Sequence, residues 1–386
     1  MAFDNQQLNV EEELVDFQGK SSRESGMLTS AQDGDVEEQG KLMNAALNMS
    51  VGSFIPDLFF EKVVNNFKLA QQLYGETILR QVTGYNISFL EKNIRIPEFK
   101  KMLKEKIKEN LEKLKEQELL DEDFGLTKKA VDVAAMTLYK EELDRLAAVG
   151  IGNYQKRKIG HYGERDEEKI FRKGDRYKDI ALKRSVHIAV KRGHERLATD
   201  DLRSFSRREH GKIEIIYALD ASGSMKGEKL ATCKKAGIAL AYAALDNKDS
   251  VGLVVFGKIV DVKVHPTDDF GLLIRKITAI MAKRETNLVG AIEEAAELFS
   301  RGNATKHLVL ITDALPTTGK DPENETKEAV SRAAEAGITL SLVGIKLNEK
   351  GEALAKQLIE IGSGRLYVTK DLEHIDMMVL EDYFSL

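Results

Sequence analysis

One cysteine, Cys233, stands in a chain of 386 residues. That excludes an internal disulfide and fits a reducing compartment. The residue falls within an amphipathic stretch, so a buried, inert thiol is expected. No uninterrupted apolar run approaches the roughly 20 residues that span a bilayer, and no membrane-spanning helix is expected. No amino-terminal stretch pairs a basic start with an apolar run, so a secretory signal is not expected and a cytoplasmic location is. Neither sign of charge dominates: 58 basic side chains face 63 acidic ones, a net charge of -5. Nothing global therefore points to a polyanion partner. Also missing are the signatures of several enzyme classes: a G-x-S-x-G elbow, a Walker-type loop, a dinucleotide-binding glycine pattern.

What is present changes character along the chain, as a length beyond one ordinary core suggests. Residues 1–50, with "EEELVDFQGKSSRESGMLTSAQDGDVEEQG", are rich in acids, Gln, Ser and Gly. They offer too little apolar area to offset ordering entropy, and a flexible acidic tail is expected. Residues 51–150 carry apolar residues at three- and four-residue steps, the period of amphipathic helices. In "PEFKKMLKEKIKENLEKLKEQELL" the stripe reads Phe99, Met102, Leu103, Ile107, Leu111 and Leu114. "LTKKAVDVAAMTLYKEELDRLAAVG" is a further helix with Thr127 as its cap and Gly150 as its stop. Residues 151–211 read as an exposed basic linker followed by a helix, "YKDIALKRSVHIAVKRGHERL", with a basic face.

From residue 212 to 386 short β-branched runs alternate with helical patterns. The runs are "IEIIYAL", "SVGLVVFG", "IVDVKV", "KHLVLIT", "ITLSLVGI" and "RLYVT". Continuous apolar strands joined by helical crossovers predict an α/β fold, a doubly wound, mostly parallel six-stranded sheet covered on both faces and preceded by an all-α region. The second and third strands are joined too tightly for a crossover, so the third is an antiparallel edge hairpin.

In such sheets ligands bind beyond the carboxyl ends of the strands, where strand order reverses. The first strand ends at Asp220 in "ALDASGSMKG", with Ser222 and Ser224 at alternate positions after it. The fourth ends at Asp313 in "TDALPT", and Thr286 in "RETNL" precedes a helix whose start faces the same end. Three distant segments thus deliver two carboxylates and three hydroxyls to one place. All are hard oxygen donors, suited to Mg²⁺ or Mn²⁺ rather than Zn²⁺ or copper.

"DASGS" with Thr286 and Asp313 resembles the metal-ion-dependent adhesion site of von Willebrand factor type A (VWA) domains, and the resemblance covers about residues 212–386. A lone D-x-S-x-S is a weak pattern; five positions in order, each at the end of its own element, are specific. The resemblance implies a Rossmann-like fold in which Ser222 and Ser224 coordinate the cation through their hydroxyls. It implies that Thr286 binds directly or through water, and that Asp220 and Asp313 act mainly through waters. One coordination position stays open for a carboxylate of a partner protein. With few direct anionic ligands the ion remains electron-poor and attracts that carboxylate. One departure is Glu285, where relatives often have glycine.

The amino-terminal half, with "ELLDEDFGLTKKAVDVAAMTLYKEEL", "FRKGDRYKDIALKRSVHIAVKRG" and "LATDDLRSFSRR", is similar to intracellular bacterial and archaeal VWA proteins. That group is related to the D subunit of magnesium chelatase and is often paired with MoxR-type AAA+ ATPases. It implies a non-enzymatic adaptor that links such an ATPase to a client. The long acidic, proline-rich linker of a true chelatase D subunit is missing, which argues against porphyrin chelation.

Blander and rival readings exist for the same residues. Asp and Ser after a strand commonly cap the next helix, which accounts for one such pair but not for five residues on three segments. Phosphatases of the haloacid dehalogenase type need an acid two residues after the strand-end aspartate, and Ser222 stands there. The functional alternative is RNA binding, as in Ro-type ribonucleoproteins, through the basic stretch from Lys156 to Lys212. That stretch lacks interleaved exposed aromatics, and a solvated face or a dock for an acidic partner is the expectation. His187 and His194, seven apart on one helical face, are expected to be solvated or packed rather than metal ligands.

Overall fold

The computed structural model describes residues 34–149, 164–170, 181–192, 194, 198–208 and 212–386, save 258, 283–285, 303, 314–315 and 317–318. The helical region comprises α1 (Gly34–Asn48), α2 (Pro56–Asn65), α3 (Phe67–Thr83), α4 (Ile87–Asn93), α5 (Pro97–Glu116) and α6 (Lys128–Val149). A core of its own forms around Phe54, Phe59, Ile78, Leu79, Leu103, Ile107 and Leu111. On α5 the expected stripe holds for Phe99, Leu103, Ile107, Leu111 and Leu114, all buried, whereas Met102 is 54% exposed. At 100° per residue Met102 points about 120° away from Leu114, outside the buried arc. Thr127 caps α6 as expected, its hydroxyl accepting the Ala130 N–H at 3.2 Å.

The expected flexible tail requires a correction. Its last part, Gly34–Asn48, is α1, which buries Leu42, Met43, Ala46 and Leu47. The buried Asn44 amide donates to the Ala134 carbonyl at 2.8 Å and ties α1 to α6. The acidic composition hid a four-residue apolar spacing, Met43 to Leu47, that suffices once α6 offers a face to cover it. The rest of the expected tail, residues 1–33, lies outside the described residues.

The expected linker is also more than a linker. Within it β1 (Glu164–Ile170) pairs antiparallel with β2 (Arg203–Arg208), flanking α7 (Leu182–Lys191). Neither "ERDEEKI" nor "RSFSRR" alternates apolar with polar residues, so the two-residue period that reveals strands is lacking. The basic helix appears where expected, as α7, with His187 exposed. His194 lies just beyond it, its Nδ1 2.7 Å from Asp201 Oδ2.

The remainder is the six-stranded sheet, in the order β5-β4-β3-β6-β7-β8. Its strands are β3 (Ile213–Asp220), β4 (Ser250–Phe256), β5 (Val260–Thr267), β6 (Thr305–Thr312), β7 (Ile338–Ile345) and β8 (Ser363–Thr369). Five run parallel, and β5 is the antiparallel edge that the short link required. Around them lie α8 (Glu228–Asp246), α9 (Phe270–Thr278), α10 (Leu288–Leu298), α11 (Pro322–Glu335), α12 (Glu349–Gly362) and α13 (Ile375–Phe384).

Side-chain alternation divides the sheet into two cores. Ile215, Tyr217 and Leu219 of β3 point into one, with α8, α9 and α13. Ile216 and Ala218 point into the other, with α10, α11 and α12. A strand covered on both faces can be apolar at every position, and β3 is buried from Glu214 to Asp220. Order reverses between the adjacent parallel strands β3 and β6, so their carboxyl ends open a crevice. Among the described residues no helix is long and apolar enough to cross a membrane.

Candidate metal centre

The strand registers bring the candidate residues to one edge. Asp220 is the last residue of β3 and lies opposite Phe256, the last of β4. Leu219 lies opposite Ile311, so Thr312 and Asp313 emerge from β6 beside Asp220. Backbone bonds then stitch the loops together beyond the strands. The Ala221 N–H donates to the Phe256 carbonyl at 2.7 Å, and the Asn287 N–H to the Gly257 carbonyl at 2.8 Å. Asn287 caps α10, its side chain accepting the Gly290 N–H at 3.0 Å. Thr286, one residue earlier, is 3% exposed at the same edge of the sheet.

Four of the five residues are linked in a chain of hydrogen bonds. Asp220 Oδ1 accepts the Ser222 N–H at 2.8 Å. The Ser222 and Ser224 hydroxyl oxygens are 3.0 Å apart, and Ser224 Oγ donates to Asp313 Oδ1 at 2.7 Å. Two neighbours that the sequence reading did not single out complete the arrangement. The Thr312 hydroxyl donates to Asp220 Oδ2 at 2.6 Å, and the Lys229 ammonium bonds Asp313 Oδ2. A signal for Lys229 was available: a lysine in the first turn of a helix opposes the helix dipole and calls for a local anion. Thr312 carried no such signal, because a threonine inside an apolar strand reads as ordinary β composition.

Burial governs the electrostatics. Asp220 is fully buried, and that burial lifts its carboxyl to about 6, against the pull of the Thr312 and Ser222 hydrogen bonds. The nearby Asp313 adds a push in the same direction. Two carboxylates in so dry a place favour a cation between or beside them. The donor set fits a small hard ion. Ser222 and Ser224, 3.0 Å apart, match the edge of an octahedron with ~2.1 Å metal–oxygen bonds, about 3.0 Å. Cys233, the chain's one thiol, is buried and is raised by burial, far from the thiolate form a metal needs. Another group of donors, Asp371, Glu373 and His374, is exposed at the entry to α13, and the five candidate residues have no part in it.

A doubly wound sheet with an antiparallel edge strand and an oxygen-lined crevice at its switch point defines a Rossmann-like α/β domain. Residues 214–379 match the von Willebrand factor type A domain family, and this part of the chain is a VWA domain. VWA domains are a family of protein-interaction modules. Curated relatives include the magnesium-chelatase 67 kDa subunit of Heliobacterium mobile, 27% identical over 175 residues, 42% of this chain and 26% of that protein. The subunit of the same name from Chlorobaculum parvum is 25% identical over 197 residues, 46% of this chain and 32% of that protein. The chain thus spans about a third or less of the length of these relatives. Among solved structures, BatB from Bacteroides thetaiotaomicron aligns with a TM-score of 0.38 and 20% identity, over 45% of this chain and 98% of that one.

Proposed function

We propose that the protein is a metal-dependent adaptor that binds a partner carboxylate at a Mg²⁺- or Mn²⁺-loaded adhesion site. Ser222, Ser224 and Thr286 hold the ion, and Asp220 and Asp313 supply the negative charge around it. The observation that carries the reading is the chain of hydroxyls and buried carboxylates running from Asp220 through Ser222 and Ser224 to Asp313. It joins two loops that are about 90 residues apart in sequence. A phosphatase built on Asp220 would need an acid where Ser222 stands, and Ser222 is engaged with Ser224.

The partner we propose is a MoxR-type AAA+ ATPase or its client, met in the cytoplasm. The magnesium-chelatase subunits among the relatives support an ATPase partner. RNA binding has less support: the exposed large apolar side chains on the basic helix α7 are Leu182, Val186 and Val190, and single-stranded RNA is held by aromatic stacking. Calorimetric titration with a purified MoxR-type ATPase tests the proposal. Binding is expected with Mg²⁺ present and is expected to vanish with EDTA or in Ser222→Ala. Equal affinity in all three conditions would contradict it.

A further inference from the structure

Helix α1 ends against the segments that flank the candidate metal residues in sequence, at Gly227 and Ala282. Its last turn closes in a Schellman motif, with the Ser50 N–H bonded to the Leu47 carbonyl at 3.2 Å and the Val51 N–H to the Ala46 carbonyl at 2.8 Å. The residue in the left-handed position of that motif is Ser50, at φ 54°. Glycine is the usual occupant, because a Cβ there costs roughly 1 kcal/mol. The Ser50 hydroxyl oxygen accepts the N–H of Ala282 at 2.9 Å.

Ala282 lies four residues before Thr286 in the chain. Two residues before Ser50, the Asn48 carbonyl accepts the N–H of Gly227 at 2.9 Å. Gly227 follows Ser224 by three residues and opens α8. Met49, between them, fills the space over two glycines of positive φ: a Cβ on Gly227 would lie 3.5 Å from its Sδ, and one on Gly75 of α3 3.8 Å from its Cγ. Adjacent residues of the helical region therefore bond Gly227, which closes the serine-bearing loop, and Ala282, four residues ahead of Thr286 in the chain.

We infer that Ser50 is a positioning residue for the metal centre: the helical region completes the site by fixing the loops of Ser222, Ser224 and Thr286 relative to one another. The inference rests on the metal reading above. Its physical content is preorganisation. A small cation demands donors at fixed separations, and loops not held at that spacing must be ordered when the ion arrives, at a cost in affinity.

The test is Mn²⁺ affinity of the full-length chain, followed by the spin-resonance signal of the free ion, in wild type and Ser50→Gly. Glycine removes the hydroxyl acceptor and relieves the left-handed strain, so the fold is kept and the thermal midpoint without metal is expected to stay within about 2 °C. Mn²⁺ affinity is expected to fall by about threefold to thirtyfold, the range of coupling by residues that touch no ligand. A purely structural serine would instead move the midpoint and leave the affinity alone. Equal Mn²⁺ affinity in the two proteins overturns this inference and leaves the metal reading standing. Wild type that takes up no Mn²⁺ overturns both.

Discussion

Lys234 brings an amine into the core beneath α8, fully buried, with its Nζ donating to the Thr278 carbonyl at 2.9 Å. Burial pulls its pKa from the usual 10.5 down to about 7. An unfolded chain keeps that proton until about pH 10.4. Between pH 7 and that value the unfolded state binds more protons than the native one, so stability contributed by this site rises with pH. Below pH 7 the full penalty of a buried charge remains. Lys234→Met is therefore expected to raise the thermal midpoint at pH 6 by roughly 5 °C or more, and by much less at pH 10. A gain independent of pH would refute the account of this residue. At the same scale, Asp220, Ser222, Ser224 and Asp313 were legible because strand ends and residue type alone place oxygens at the switch point. Thr312 on Asp220 was not, and for Lys229 the sequence signalled a nearby anion without saying that it is Asp313. Which hydroxyl or ammonium reaches a given carboxylate depends on angles between elements that no local pattern encodes.

At the scale of elements, the four central strands of the large sheet, β3, β4, β6 and β7, could be read directly, since uninterrupted apolar runs belong to strands covered on both faces. The β1–β2 pair could not, being short and charged, and α1 was masked by the acidic residues around it. Helix α13 shows another kind of concealment. It is pinned to the sheet by Asp382, whose carboxylate takes the Ser341 hydroxyl at 2.7 Å on one oxygen and sits 2.7 Å from His307 Nε2 on the other. Serine, histidine and aspartate meet here, but the aspartate lies between the other two and all three are buried. The serine cannot be activated by the imidazole, so the cluster anchors a helix. Asp382→Ala strands a buried hydroxyl and imidazole, and is expected to cost about 3 kcal/mol in chemical denaturation. A change below about 0.5 kcal/mol would show that the anchor is dispensable.

For the whole molecule, α6 belongs to two cores. Its Ala130 and Ala134 pack in the helical region, while Ala135, Leu138 and Tyr139 pack in the VWA core. Tyr139 sits 5.1 Å from Phe270 of α9, ring centre to ring centre. One turn and a half further on, Arg145 bridges Glu142 and Asp376 of α13. The two regions should then unfold together. Tyr139→Ala, which opens a cavity at the shared helix, is expected to replace one calorimetric transition with two and to cost about 3 kcal/mol. Two transitions already in the wild-type protein would mean that the regions are independent, and a single transition at an unchanged midpoint in the variant would mean that Tyr139 is not what joins them. The account as a whole depends on one hard divalent ion bound where β3 and β6 end. Mn²⁺ titration of the full-length protein, read by spin resonance, measures that directly. One equivalent bound per chain, displaced by Mg²⁺ and lost in both Asp220→Ala and Ser222→Ala, is the predicted result; no saturable binding by wild type, or undiminished binding by both variants, would contradict it.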